Sequence, residues 1–429
     1  MKYIIATLGC KVNQYETQAM EKLLMDHGHS AALPGEQADA IIVNTCAVTA
    51  ESGRKSRQLI RRLKEESPEA VLAVCGCYSQ IAKDEVESLG ASVIFGAADR
   101  AATVAAVEKA FEGRGGTVNI DEPFQRRQIE RLPAGAVSGR TRAMLKIQDG
   151  CVNFCSYCII PYTRGRLRSL PPEEAAQQAR QLQEEGYKEI VLTGIEVASY
   201  GLDLPGKPSL GHVIDAVAQA APELRLRLGS LEPTVVTEEF CSQLARSGRL
   251  CPHFHLSLQS GCDRTLKAMN RKYDTARFME SVELLRRWFP GCALTGDLIA
   301  GFPGETEDDH KDTLAFIRKA GFAALHVFPY SRRPGTPADK LLGQCSKAVK
   351  ARRAHEAQAL ADELGMDFLR QQLGSTLPVL FETEEGDMSS GHSHTYLHVT
   401  VQGSGLRGKL EDVVIDRVEG QTLFGHLAH

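Results

Sequence analysis

Nowhere in the 429 residues does an apolar run approach the roughly 18–20 residues that a membrane-spanning helix needs. No membrane association is expected. The opening stretch "MKYIIATLGC" carries one lysine and a short apolar run, but no small-residue cleavage site. It reads as a first strand and not as a secretory leader, so the expected location is cytoplasmic. A dominant charge is also missing: 50 Lys and Arg stand against 54 Asp and Glu, a net charge of −4. In a reducing compartment the twelve cysteines argue for metal ligation or catalysis, with some plain buried thiols, and against disulfides. The most telling absence is a fourth cysteine near "GCVNFCSYCIIP". Cys151, Cys155 and Cys158 stand there at spacing C-x3-C-x2-C with no further partner close by. A structural zinc site wants four closed ligands, usually as two C-x2-C pairs. A four-iron cube held by three thiolates keeps one iron open for an exogenous ligand, which is what a catalytic cluster needs.

Around that loop the chain divides by periodicity. Residues 1–112 alternate short β-branched runs ("YIIATL", "AIIVNT", "AVLAVCG", "SVIFG") with helical stretches, the pattern of a small α/β domain on a parallel sheet. Ligands of such sheets sit beyond the carboxyl ends of the strands. Cys10, Cys46 and Cys77 each fall at such an end, in "TLGC", "VNTC" and "VCGC". Residues 113–137 lack sustained periodicity and read as a linker or extended arm. From 138 to 373 six strand candidates alternate with helices ("AMLKIQD", "EIVLTGI", "LRLRLGS", "HFHLSLQ", "LTGDLIA", "ALHVFPY"), which suits a partial (βα)6 barrel closed off by a helix near 345–373. His253, His255, Ser257 and Gln259 share one strand face, Arg225 and Arg227 another, and Thr295 and Asp297 a third. Polar faces on several inner strands suit a lumen that holds a polar ligand. Residues 374–429 read as a small all-β barrel.

The cluster loop, with Tyr157 before its last cysteine and directly after a first barrel strand, resembles the radical S-adenosylmethionine signature. "LGCKVNQYET", "VNTCAVT" and "VCGCYSQ" resemble the N-terminal domain of the methylthiotransferases. "LTGIEVASYG", "LRLGSLEP", "FHLSLQSGCDRTLKAMNRKY", "DLIAGFPGETEDD" and "VFPYSRRPGTPA" resemble that family's barrel, and the terminal module its TRAM domain. Within the family, "GCKVNQYE" is similar to the branch acting on N6-threonylcarbamoyladenosine of tRNA. The resemblance implies two [4Fe–4S] clusters, one on Cys151, Cys155 and Cys158 and a second on Cys10, Cys46 and Cys77, together with S-adenosylmethionine. It implies cleavage of that cofactor to a radical that takes the hydrogen from C2 of adenine, followed by delivery of a methylated sulfur. The C2–H bond is strong, and no side-chain base could remove that proton. An electron donor and a sulfur source are then expected partners. Tyr157, Gly194, Ser230, Glu232, Ser257 and Gln259 are the candidate cofactor contacts.

Other features are weighed against plainer readings. Cys75 lies two residues before Cys77 and is expected to be a buried thiol. Cys241, Cys251, Cys262, Cys292 and Cys345 stand singly and are assigned no role. His27 and His29 in "MDHGHS" read as a solvated helix end, and the stretch is not a D-x-H-x-x-G cobalamin motif. Glu196 is expected to contribute little to cofactor contact. Arg164, Arg166 and Arg168 follow the cluster loop and are expected to meet tRNA phosphates. From residue 376 onward three basic residues face eight acidic ones, a poor balance for phosphate binding. The rival readings are a methylthiotransferase of another substrate, isopentenyladenosine in tRNA or a ribosomal protein, and an RNA-binding Fe–S scaffold without catalysis.

Overall fold

A computed structural model of the chain describes residues 1–134 and 141–428. The end of the anticipated arm (135–137) and the first residues of the anticipated barrel segment (138–140) lie outside the described residues.

The N-terminal sheet is wholly parallel, in the order β2-β1-β3-β4-β5-β6. Its strands are β1 (Lys2–Thr7), β2 (Ser30–Ala31), β3 (Ala40–Thr45), β4 (Val71–Gly76), β5 (Val93–Phe95) and β6 (Thr117–Asn119). Strand β3 is buried along its whole length, because helices cover both faces of the sheet. Ala40 and Ile42 pack with Met20, Leu24, Val104 and Val107 on one face. Ile41 and Val43 pack with Ile60, Leu63 and Tyr78 on the other. Residues 113–134 contribute β6 and then run as an arm across the domain junction. The Tyr15 hydroxyl donates to Leu132 O at 3.1 Å, and Arg126 reaches Thr163 O at 3.0 Å.

The barrel strands are β7 (Arg142–Lys146), β10 (Glu189–Thr193), β11 (Arg225–Leu228), β12 (His253–Gln259), β13 (Ala293–Ala300) and β14 (Ala324–Pro329). A short antiparallel pair, β8 (Gln148–Asp149) with β9 (Arg168–Ser169), brackets the cluster loop. The six run parallel as β11-β10-β7 and β12-β13-β14, with single parallel bridges Leu226–Leu250 and Leu231–Leu256 joining the halves. The first helix (Lys11–Asp26) packs beside β7, on the open side of the barrel.

A helix, Lys347–Arg370, leads to a closed five-stranded barrel. Its strands are β15 (Thr376–Glu385), β16 (Met388–Ser393), β17 (His398–Gln402), β18 (Leu410–Glu419) and β19 (Thr422–Leu427). The module caps the amino-terminal end of the larger barrel. Arg225 donates to His392 O at 2.9 Å, and Arg227 to Ser393 O and His394 O at 3.1 and 3.0 Å. Both guanidinium groups also pair with buried Glu189. Their polar faces, expected to meet a ligand, thus anchor the cap. Unpaired backbone carbonyls at a buried junction need donors, and these two arginines supply them. Among the described residues no helix is long and apolar enough to cross a membrane.

Candidate active site at the domain junction

The loop from Gly150 leaves the carboxyl end of the barrel's first strand, and several contacts hold it in shape. Gly150 has φ +77, and a Cβ there would lie 1.8 Å from Arg166 O. Only glycine fits. Ser156 N donates to Met269 O at 2.9 Å and its hydroxyl to Ala268 O at 2.8 Å. Arg271 Nη1 lies 3.2 Å from Cys155 Sγ. Tyr157 packs edge-on against Phe302.

The second triple converges from three strand ends. Gly9 has φ +115, and a Cβ on it would stand 2.9 Å from Cys46 Cβ. Gly76 has φ +104, and a Cβ on it would stand 2.4 Å from Thr45 O. These two glycines let the "LGC", "NTC" and "CGC" turns close on one another. At Gly76 the strand ends and Cys77 begins a short helix, so Cys75 and Cys77 diverge. Cys75 lies in the core on one face of the sheet and Cys77 in the core on the other. Cys241, Cys251, Cys262 and Cys292 are buried thiols on other elements.

All six candidate ligands are free thiols. Burial pushes Cys46 up, and Cys151 and Cys158 up to about 12, and neighbouring thiolates add to the rise within each triple. Such sulfurs carry charge only against a bound cation. Among the described residues no three His, Cys, Asp or Glu side chains converge tightly enough for one metal ion. Three soft thiols in each triple fit the thiolate ligation of an iron–sulfur cube. The two triples also sense each other, since Cys77 is among the charges that raise Cys158. Between their loops lies a cavity of about 220 Å³ lined by Val48 and Thr49 from one side and Tyr157, Gln259 and Asp297 from the other.

Around the barrel loop the sequence named Glu232 among the cofactor contacts, but gave Glu196 little part and did not single out Asn153. The Asn153 side-chain amide donates to Glu196 Oε2 at 3.1 Å and to Glu232 Oε2 at 2.9 Å. Burial, together with the Glu232 charge, raises Glu196 to about 8. Arg271 Nη2 lies 3.8 Å from Glu232 Oε2. Glu196, expected to contribute little to cofactor contact, thus stands with Glu232 and Arg271 beside Asn153 of the loop. Gly194 makes this possible: a Cβ there would meet Gln148 at 2.9 Å, and Gln148 Oε1 accepts from Glu196 N at 2.7 Å. Ser257 and Gln259 face the lumen half-buried, and Ser230 is exposed at the end of β11.

The arginine triplet requires a correction. Arg164 is completely buried and Arg168 nearly so, and only Arg166 is exposed. Arg164 pairs with Glu16, lies 2.8 Å from Asn13 Oδ1, and places Nε 3.4 Å from Cys77 Sγ. Arg168 donates to the Arg164 and Arg166 carbonyls and faces Asp149 at 3.4 Å. Arg164 joins the two domains and Arg168 ties the loop to the barrel, and neither guanidinium is open to phosphate. Alternation of arginine with other residues marks a β-like face, but does not say whether water or protein covers it.

A partial (βα)6 barrel with a three-thiol loop at the end of its first strand defines a radical S-adenosylmethionine enzyme. The radical SAM superfamily matches residues 145–317, and the uncharacterized protein family UPF0004 matches residues 2–96. A threonylcarbamoyladenosine tRNA methylthiotransferase, MtaB, of Bacillus subtilis is 39% identical over 416 residues, covering 95% of this chain and 92% of that one. A tRNA-2-methylthio-N(6)-dimethylallyladenosine synthase of Carboxydothermus hydrogenoformans is 34% identical, covering 96% of each. Among solved structures, the radical S-adenosylmethionine methyltransferase TsrM from Kitasatospora setae superposes with a TM-score of 0.58 at 15% identity, covering 90% of this chain and 79% of that one. That likeness concerns the fold alone. The chain belongs to the tRNA methylthiotransferase family of radical S-adenosylmethionine enzymes. S-adenosylmethionine and [4Fe–4S] clusters are that family's cofactors.

Proposed function

We propose that the protein adds a methylthio group to C2 of N6-threonylcarbamoyladenosine in tRNA. The observation that carries the reading is a small cavity walled by neighbours of both cysteine triples, Val48 and Thr49 after Cys46 and Tyr157 before Cys158, in a chain that aligns over 95–99% of its length with relatives named for that reaction. Cys151, Cys155 and Cys158 hold the cluster that binds S-adenosylmethionine, and Cys10, Cys46 and Cys77 hold the second. Once bound, the clusters and S-adenosylmethionine supply the radical and the sulfur. The chain's residues supply placement. Glu196 and Glu232 receive the cofactor's amino group, and the Asn153 amide bridges the two carboxyls. Arg271 stabilises charge on the Cys155 sulfur. Tyr157, Gln259 and Asp297 wall the space between the triples, excluding water from a reactive intermediate.

Exposed Arg166, the exposed basic helix residues Arg54, Lys55, Arg61 and Arg62, and half-exposed Phe154 and Tyr162 beside the loop form the tRNA face. The acidic C-terminal barrel contributes shape more than phosphate contact. The reaction also needs an electron donor and a sulfur source, and a tRNA substrate accords with a cytoplasmic location. Mass spectrometry of tRNA nucleosides from cells with and without this gene tests the reading. Deletion should abolish the methylthio form of N6-threonylcarbamoyladenosine and leave the unmodified nucleoside. Loss of the dimethylallyl counterpart instead would assign the chain to that substrate.

A further inference from the structure

A second and larger cavity, about 500 Å³, opens where the first helix, the barrel lumen and the C-terminal barrel meet. Lys11, Gln14 and Gln18 line it from one face of the helix, Arg142 and Arg227 from the barrel, and Tyr396 from the cap. The cations in it are unevenly balanced. Arg142 Nε lies 2.7 Å from Glu382 Oε1, with Glu189 a further partner at 4.0 Å. Arg227 spends its donors on Glu189 and two cap carbonyls. Lys11 shares the cavity with the Arg227 and Arg142 guanidinium groups, and among the described residues no carboxylate lies within ion-pair distance of it, the Glu189 and Asp297 charges reaching it from farther off. A half-buried ammonium set among other cations calls for an anion. Nor do the Gln14 and Gln18 side chains hydrogen-bond to any described residue.

Position connects this cavity to the reaction. Lys11 directly follows Cys10, and Asp297, whose charge bears on Lys11, also lines the small cavity beside the cysteine loops. The two nucleosides in the names of the relatives differ in one relevant respect. A threonylcarbamoyl arm ends in a carboxylate, whereas a dimethylallyl arm is apolar throughout.

We propose that this cavity is the specificity pocket for the arm on N6 of the substrate adenosine, with Lys11 binding its carboxylate and Gln14 and Gln18 its hydroxyl and carbonyl groups. The proposal rests on the function proposed above. The pocket selects by charge: an apolar arm would leave the ammonium unpaired and strip its water, whereas a carboxylate satisfies it.

The test uses the full chain, iron-loaded under anaerobic conditions, and short anticodon-stem RNAs that carry threonylcarbamoyladenosine, its carboxyl methyl ester, or dimethylallyladenosine. Fluorescence anisotropy gives dissociation constants, and mass spectrometry gives the products. The wild-type chain should bind the free acid roughly tenfold or more tighter than the ester, the effect of one lost charge-assisted hydrogen bond. Lys11→Met, checked for full iron content, should erase that preference by weakening the acid alone, and Lys11→Arg should keep it. Equal binding of acid and ester by the wild type overturns the proposal without reliance on any variant. So does a Lys11→Met chain that retains the preference. In either case, continued methylthiolation of the acid RNA by the wild type leaves the function reading standing. A wild type that converts only the dimethylallyl RNA overturns that reading, and the proposal with it.

Discussion

Glu16 is the group on which the junction between the N-terminal domain and the barrel turns. It comes from the first helix and is completely buried. It pairs with Arg164 of the barrel, with Lys146 of β7 at 3.1 Å, and with Arg100 of its own domain at 3.3 Å. Burial alone would push its carboxyl up, but the three cations outweigh burial and hold it at about 2, below the ordinary 4.5. That separation corresponds to about 3 kcal/mol of folding free energy. Removal of one partner from a buried ion cluster independently costs about 3–5 kcal/mol. Glu16→Gln should therefore destabilise the iron-free chain by about 3 kcal/mol at pH 7. A carboxylate held low contributes its full stability above the unfolded value near 4.5 and loses it as pH falls toward 2. The gap between wild type and variant should thus shrink to less than about half by pH 3. Urea titrations of both proteins at pH 7, 4 and 3 measure it. The iron-free form is the right one, because thiolate-bound iron is itself lost in acid. A loss below ~1 kcal/mol at pH 7, or a gap that does not narrow in acid, would refute the assignment. In the iron-loaded form the same variant should still release 5′-deoxyadenosine while methylthio transfer falls further, since the network sets how the two triples face each other.

Anaerobically loaded protein should hold about eight irons, the content of two cubes. Replacing Cys151, Cys155 and Cys158 by Ala should remove about half and abolish deoxyadenosine formation. Replacing Cys10, Cys46 and Cys77 should remove the other half and leave uncoupled cleavage. Loss of all iron from either variant would contradict separate sites. Cys75→Ser should keep the full iron content and Cys77→Ser should not, since the two thiols lie on opposite sides of the sheet; iron analysis of the pair decides it. Arg168→Ala should lower thermal stability without flattening the salt dependence of tRNA binding, because its guanidinium is buried against Asp149 and two carbonyls. A drop of about one in the slope of log K against log salt would put it on phosphate after all. Glu196→Gln should stabilise the cofactor-free chain at pH 8, where burial and Glu232 oppose ionisation of Glu196, and should weaken S-adenosylmethionine binding in calorimetry. Unchanged affinity would remove Glu196 from the amine receptor.

Much of this architecture was legible in the order of residues. Alternating runs such as "AIIVNT" and "HFHLSLQ" marked strands by their two-residue period, which is a local property of the backbone. The three barrel cysteines within eight positions pointed to a thiolate-ligated group, because ligand spacing on a short loop is also local. What each side chain faces across the junction was not encoded in that way. Arg164 and Arg168 had the spacing of an exposed basic strip, yet the N-terminal domain and the short β8–β9 pair cover them. Arg225 and Arg227 had the phase of a ligand-lined lumen, yet carbonyls more than 150 residues away occupy them. Glu196 became a central group only once Asn153 and Glu232, from two other loops, were brought beside it. Lys11 differed from any other helix-start lysine only when the barrel and its cap enclosed the space before it. Period and spacing determine which face a residue occupies. Only the packing of three domains decides whether water, a counter-ion or a substrate is waiting on that face.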